Sequence, residues 1–313
     1  MHLAIRSRLI LTILPSLLGA VLLTTGTARA ETPVDHCGQT LGQSGEYILA
    51  TDLDCSGTFA NGINIAASDV TLHLGNHILS SKDCDLNKTI YGIFVPGSIT
   101  NVKLDGGTVR GFVDGVVLTS SKSRVSAMTV TGACQFGIAV QNEGNTVTTC
   151  RINHNGVDGV GLQVATNTHI FANDISDNAG HGIGLSNNSN DNLIDFNILS
   201  RNGAGESGIR ISFGIENTVA NNELDNNSDG IVLEDKNNLV RDNTIRGSLD
   251  VGIYLAGSAS PSRVMHNAVL GSVLSDISDA SRGCGLNEWK RNTFDTDLVG
   301  GVSDGGPSAG CIR

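Results

Sequence analysis

The feature that most constrains this chain is a repeat of about 22 residues. Gly followed by Ile or Val, one intervening residue and another apolar residue occurs at Gly92-Ile93-Phe94-Val95, Gly115-Val116-Val117-Leu118, Gly137-Ile138-Ala139-Val140 and Gly159-Val160-Gly161-Leu162. It returns at Gly182-Ile183-Gly184-Leu185, Gly208-Ile209-Arg210-Ile211, Gly230-Ile231-Val232-Leu233 and Gly252-Ile253-Tyr254-Leu255. Successive glycines lie 23, 22, 22, 23, 26, 22 and 22 residues apart. A second pattern keeps step with the first, as in Asn217-x-Val219-x-x-Asn222-x-Leu224 and Asn238-x-Val240-x-x-Asn243-x-Ile245. Alternate apolar positions in short segments read as strands. Such segments cannot fold back through two-residue hairpins at this spacing, but each can pair in parallel with its equivalent one coil later, roughly 4.8 Å away. The expected fold is all-β, a parallel β-helix or solenoid of about ten coils.

Asn recurs at equivalent places, Asn173, Asn197, Asn222, Asn243, Asn267 and Asn292. This reads as an inward ladder at a bend, where Asn tolerates left-handed backbone angles and its amide can bond to those above and below. Met128 and Cys150 occupy the same column, which makes Cys150 a small core residue. Residues 1–30 read as a signal peptide, 31–61 as an irregular N-terminal cap, 62–294 as the repeats and 295–313 as a C-terminal cap. Capped ends keep the terminal coils from exposing open sheet edges.

Arg6 and Arg8 precede an apolar run from Leu9 to Leu23, and Ala28-Arg29-Ala30 offers a small-x-small cleavage site before Glu31. A Sec-type signal cleaved after Ala30 implies a secreted or periplasmic protein with no membrane span. Cleavage would remove three arginines and no acid, moving the formal net charge from -11 to -14. That balance argues against nucleic acid and anionic membranes as partners. All seven cysteines follow the site, where disulfides are permitted. Cys37 with Cys55 and Cys284 with Cys311 are the expected bridges, one at each end. The pairing of Cys84, Cys134 and Cys150 stays open.

With these repeats, residues 35 to 313 resemble the pectin-lyase-like superfamily of right-handed parallel β-helix proteins, including NosD-like and sugar-hydrolase repeat domains. Gly180-His181-Gly182 and Gly208-Ile209-Arg210-Ile211 are similar to the GHG and RIK segments of the polygalacturonase family. That resemblance implies Asp158 in an acid/base carboxylate set, His181 in support and Arg210 as a clamp on a substrate carboxylate. The chain departs from the family at Gln135-Phe136-Gly137, at Val157 and at Ser212, so the match places one carboxyl where inverting glycoside hydrolysis needs two.

On the outward face of the Gly-Ile strands, glycines at 161 and 184 lower the surface while polar and aromatic residues rim it. The expected site there has Asp158, His181, Arg210 and Glu234 as catalytic residues and Gln141, Gln163, Ser186, Ser212 and Tyr254 as substrate-binding residues. Aspartate before Gly-Ile recurs at Asp114 and Asp229, which also suits a turn-forming role for Asp158. Histidines and cysteines do not gather at metal-ligand spacing, so no metal site is assigned. Calcium is the one cofactor considered, at Asp225, Asp229, Glu234, Asp235 and Asp242. The expected function is action on, or binding of, a polysaccharide or oligosaccharide by a monomer. An acidic polymer is preferred, with lyase, epimerase or glycoside hydrolase chemistry. The alternatives are a non-catalytic glycan-binding or structural scaffold and a NosD-like accessory protein.

Overall fold

The computed structural model describes residues 31–203, 205–303, 306 and 310–312; the expected signal segment lies outside them. The described chain winds with strands on three sides. One side is a 12-stranded parallel sheet that gathers the Gly-Ile segments between Gln39–Leu41 and Asp297–Val299. The other two sides merge into one 20-stranded sheet, because the long strands Val70–Ser80 and Lys103–Arg110 run round a corner and pair on both sides of it. The solenoid has about eleven turns.

Register follows from the inward apolar column. Ile138, Val160, Ile183, Ile209, Ile231 and Ile253 pair in succession down the sheet, and all are fully buried. A slip of one residue would turn every such side chain outward, so the pattern admits a single alignment. Winding begins within the residues expected to form the cap: Thr32 to Val34 pairs with Tyr47 to Leu49, and Gln39 to Leu41 with Ile63 to Ile65. Within residues 31–61, Val34, Leu41 and Leu49 are buried and extend the apolar column into the first coil.

The Asn ladder is present and every rung is buried. From Asn173 to Asn267 each side-chain amide reaches the Asn of the next coil, as in Asn197 Nδ2 to Asn222 Oδ1 at 3.0 Å and Asn222 Nδ2 to Asn243 Oδ1 at 3.0 Å. The same Nδ2 group also donates to a carbonyl of the previous coil, Ile194 in the case of Asn222. Two further Asn columns do the same work, Asn192–Asn217–Asn238 and Asn155–Asn178–Asn202–Asn227. The left-handed angle, however, falls one residue before each ladder Asn, at Ala172, Phe196, Asn221, Asp242, His266 and Arg291, with φ between 54° and 58°. Asn serves here as the side chain that ties the bend, and the residue ahead of it takes the backbone strain of about 1–2 kcal/mol.

Cys37–Cys55 and Cys284–Cys311 are bridged as expected, and a third bridge joins Cys84 to Cys134. Cys150 is free and buried at the foot of the ladder, its backbone N–H donating to Asn173 Oδ1. Burial pushes its thiol up to about 11, so it stays protonated and inert. Three disulfides suit a compartment outside the reducing cytosol. Among the described residues no helix is long and apolar enough to cross a membrane.

Candidate functional site

The outward face of the Gly-Ile sheet carries one row in which Ala139, Gly161, Gly184, Arg210, Val232 and Tyr254 stand side by side on successive coils. Two adjacent glycines leave a notch in that row. The Phe136 ring covers Gly161 so closely that a Cβ there would lie 2.7 Å from ring Cδ1. A Cβ at Gly184 would overlap Oδ2 of Asp158. The result is a groove of about 290 Å³, with Phe136 as an apolar wall and Asp158, His181, Glu206 and Arg210 as its charged and titratable members.

Asp158 belongs to a repeating device. Oδ1 of Asp114, Asp158 and Asp229 accepts the backbone N–H of Phe136, His181 and Val251 on the next coil, at 2.9, 2.7 and 3.0 Å. The turn-forming role is therefore shared by all three. What distinguishes Asp158 is the residue beside its second oxygen: Gly184 stands where the other two coils have Ala139 and Tyr254. Burial raises the pKa of all three carboxyls. For Asp158 the value reaches about 6; burial is the main cause, the His181 N–H opposes it, the Glu206 charge adds to it and Arg210 opposes it.

His181 is held at both ring nitrogens. Nδ1 accepts the Ser207 N–H at 3.0 Å, which leaves the ring proton on Nε2, 3.2 Å from Glu206 Oε2. Burial lowers the imidazole pKa, with the Glu206 charge opposing. Arg210 then continues the chain: Nη1 lies 3.4 Å from Glu206 Oε2, while Nε and Nη2 grip Glu234 at 3.2 and 2.8 Å. The side chain of Arg210 is one-third exposed and engaged by two carboxylates. Arg210, expected from the family resemblance to clamp a substrate carboxylate, is held in this structure by Glu234 on the next coil.

Of the expected site residues, Asp158, His181, Arg210, Gln163, Ser186 and Ser212 line the groove together. Glu234 stands behind Arg210, and Gln141 and Tyr254 lie outside the lining. Glu206 and Phe136 were not anticipated. A signal for Glu206 was present, since the Gly182 to Gly208 interval of 26 residues is the longest among those from Gly92 onward. Its extra residues lie just ahead of Ser207. Phe136 is an aromatic residue between Asp114 and Asp158 in the column ahead of the repeat glycines, just before the two clearing glycines.

The acidic residues considered for calcium do not converge. Glu234 pairs with Arg210, Asp235 accepts the Gly214 N–H, and Asp242 pairs with Arg241. Among the described residues, Glu31, Glu46 and His73 are the one group of three potential metal ligands that comes together. They stand on the first coils of the larger sheet, several coils from the groove.

Residues 41–199, just over half the sequence, match the family described as right handed beta helix region. The chain belongs to that family. Residues 158–306 also match the family of periplasmic copper-binding protein (NosD). No curated protein sequence matches. Among solved structures this β-helix is similar to the Agl-KA catalytic domain, at TM-score 0.54 and 12% identity over 82% of this chain and 60% of that one. It is also similar to the tailspike protein of E. coli bacteriophage HK620 in complex with a pentasaccharide, at TM-score 0.55 and 14% identity over 85% of this chain and 54% of the tailspike. A third likeness is to the Azotobacter vinelandii mannuronan C-5 epimerase AlgE6 A-module, at TM-score 0.53 and 14% identity over 87% and 88% of the two chains. The chain thus spans 60% of the Agl-KA domain and 54% of the tailspike. At these identities the likeness is one of fold.

Proposed function

We propose that the groove binds a polysaccharide strand and hydrolyses it, with Asp158 as general acid and Glu206 as the second carboxyl group. One observation carries the reading. Asp158 has one oxygen fixed by the next coil and the other directed at a notch cleared by Gly184, while Glu206 faces the same notch across the His181 ring. Glycoside hydrolysis needs one carboxyl to protonate the leaving oxygen and a second to activate water or attack the sugar. The family resemblance placed only Asp158, and the other carboxyl expected from the sequence, Glu234, is held by Arg210.

Asp158, with its pKa raised to about 6, keeps its proton in mildly acidic solution and can give it up to a departing oxygen. His181 orients Glu206 through its Nε2–H, and the Ser207 N–H fixes the tautomer that makes this possible. Gln163, Ser186 and Ser212 offer amide and hydroxyl partners for sugar hydroxyls, and the Phe136 ring offers a face for the apolar side of a pyranose. Two similar solved structures support polysaccharide as the ligand class, one a tailspike holding a pentasaccharide and one a mannuronan epimerase module. Three disulfides and the match to a periplasmic family support an exported protein, in the periplasm or outside the cell. The lyase and epimerase readings lose support because both need a cation free to neutralise a uronate, and Arg210 is engaged.

The test is release of reducing ends from a panel of neutral and acidic glycans by the purified protein, alongside Asp158→Asn and Glu206→Gln. Activity in the unaltered protein and its loss in both variants is the expected result. Glycan binding without turnover would transfer the groove to the non-catalytic reading.

A further inference from the structure

We infer that the groove selects an uncharged polysaccharide and disfavours uronate polymers, an inference that rests on the groove being a saccharide site. Among the described residues lining it, Arg210 is the one permanent cation, against the carboxyl groups of Asp158 and Glu206. Its guanidinium is committed on both edges, with Nε and Nη2 on Glu234 at 3.2 and 2.8 Å and Nη1 on Glu206 at 3.4 Å. A two-point grip of that kind is among the stronger side-chain interactions, so a substrate carboxylate would have to displace Glu234 to reach Arg210. His181 offers no cation in exchange, because Nδ1 accepts the Ser207 N–H and the Nε2–H is directed at Glu206. Asp229, on the coil beyond Arg210, adds a further carboxyl close enough to sense both Arg210 and Glu206.

A polymer carrying one carboxylate per sugar would therefore enter a site whose acids outnumber its bases, on a chain of formal charge -11. Uncharged sugars suit the same groups. Carboxylates accept hydrogen bonds from hydroxyls, the Gln163 amide and the Ser186 and Ser212 hydroxyls can donate or accept, and Phe136 supplies apolar surface. The acidic substrate expected from sequence followed from a free Arg210, and the carboxylates that hold that residue reverse the preference.

The experiment titrates the full chain with hexasaccharides of neutral glucose, mannose or galactose units and with hexamers of galacturonate and mannuronate at low salt. At least one neutral hexamer is expected to bind tenfold or more tightly than either uronate hexamer. Glu234→Gln, checked for an unchanged fold by its melting profile, frees one edge of Arg210 and is expected to raise uronate affinity by about threefold to fivefold. Glu206→Gln provides a second route to the same gain if the first variant does not fold. Tighter binding of a uronate than of every neutral hexamer by the unaltered protein overturns the inference and leaves the groove reading standing. Absence of binding by every hexamer overturns both.

Discussion

The Asn corner around Asn222 and the groove around Asp158 are made by the same device and use it in opposite ways. In both, a side chain on one coil bonds to the backbone of a neighbouring coil: Asn222 Oδ1 accepts the Asn197 N–H, and Asp158 Oδ1 accepts the His181 N–H. At the corner the same residue returns on every coil from Asn173 to Asn292, so each amide is satisfied by its copies. On the groove face the columns vary, through Phe136, Asp158, His181 and Ser207 in one and through Gly161, Gly184 and Arg210 in the next. Repetition leaves no group over, and variation leaves one: Asp158 Oδ2, facing space that a side chain fills elsewhere. In this solenoid stability comes from columns that repeat, and chemistry is expected where two adjacent columns stop repeating together.

The largest effect is expected from separating Asp158 from its structural twins. Asp158→Asn retains the oxygen that accepts the His181 N–H and removes the proton donor, so turnover of a hydrolysed glycan should fall by about 10²–10⁴. Asp114→Asn, the same change in a filled column, should leave turnover within about twofold, since its carboxyl lies outside the groove lining. Equal losses from both would show the column to be structural throughout.

Next in size is the corner. Asn222 is fully buried, donates to the carbonyls of Ile194 and Ala220 and to Asn243, and accepts two donors of Asn197. Asn222→Leu strands these groups without water and should cost about 3 kcal/mol in denaturant unfolding. An unchanged midpoint would remove the ladder as a source of stability.

A pH effect sharpens the contrast. Because the Asp158 carboxyl rises to about 6 in the folded protein from an ordinary 3.8, the folded state binds its proton more tightly than the unfolded state does. This contribution to stability is complete below about pH 4 and is lost as pH rises through about 6, by up to about 3 kcal/mol. Asp158→Asn should therefore unfold with a flatter pH profile and be at least as stable as the unaltered protein at pH 7. A profile with the same slope between pH 4 and 6 would contradict this. The smallest effect is expected from Gly184→Ala. Its methyl group must displace the Asp158 carboxyl, and glycan affinity should fall by about tenfold while the inward column is untouched.

Much of this architecture was open to reading in the residues. Period-two apolar segments returning every 22 or so residues allow only parallel stacking, and the ladder Asn residues, the terminal bridges and the buried Cys150 follow from their places in that frame. The Cys84–Cys134 bridge did not, because Cys84 sits in the long interval between Gly62 and Gly92, where the repeat gives no column to align it with. Six of the nine expected site residues line one groove because they share columns. Glu206 escaped for the reason Cys84 did: it belongs to an extra-long interval that periodicity cannot register.

What the sequence determined by itself is the set of columns, since inward and outward positions and coil-to-coil neighbours follow from a repeat that buries Ile, Val and Leu in a single alignment. What only the tertiary structure decided is which outward groups engage one another. The repeat put Glu234 one coil from Arg210 and Gly184 one coil from Asp158, but that Glu206 also reaches Arg210, and that the second oxygen of Asp158 fills the space beside Gly184, is seen only in the folded chain. The reason is physical: a repeat fixes where each backbone segment lies, whereas the direction of a long charged side chain is set by partners brought from other coils.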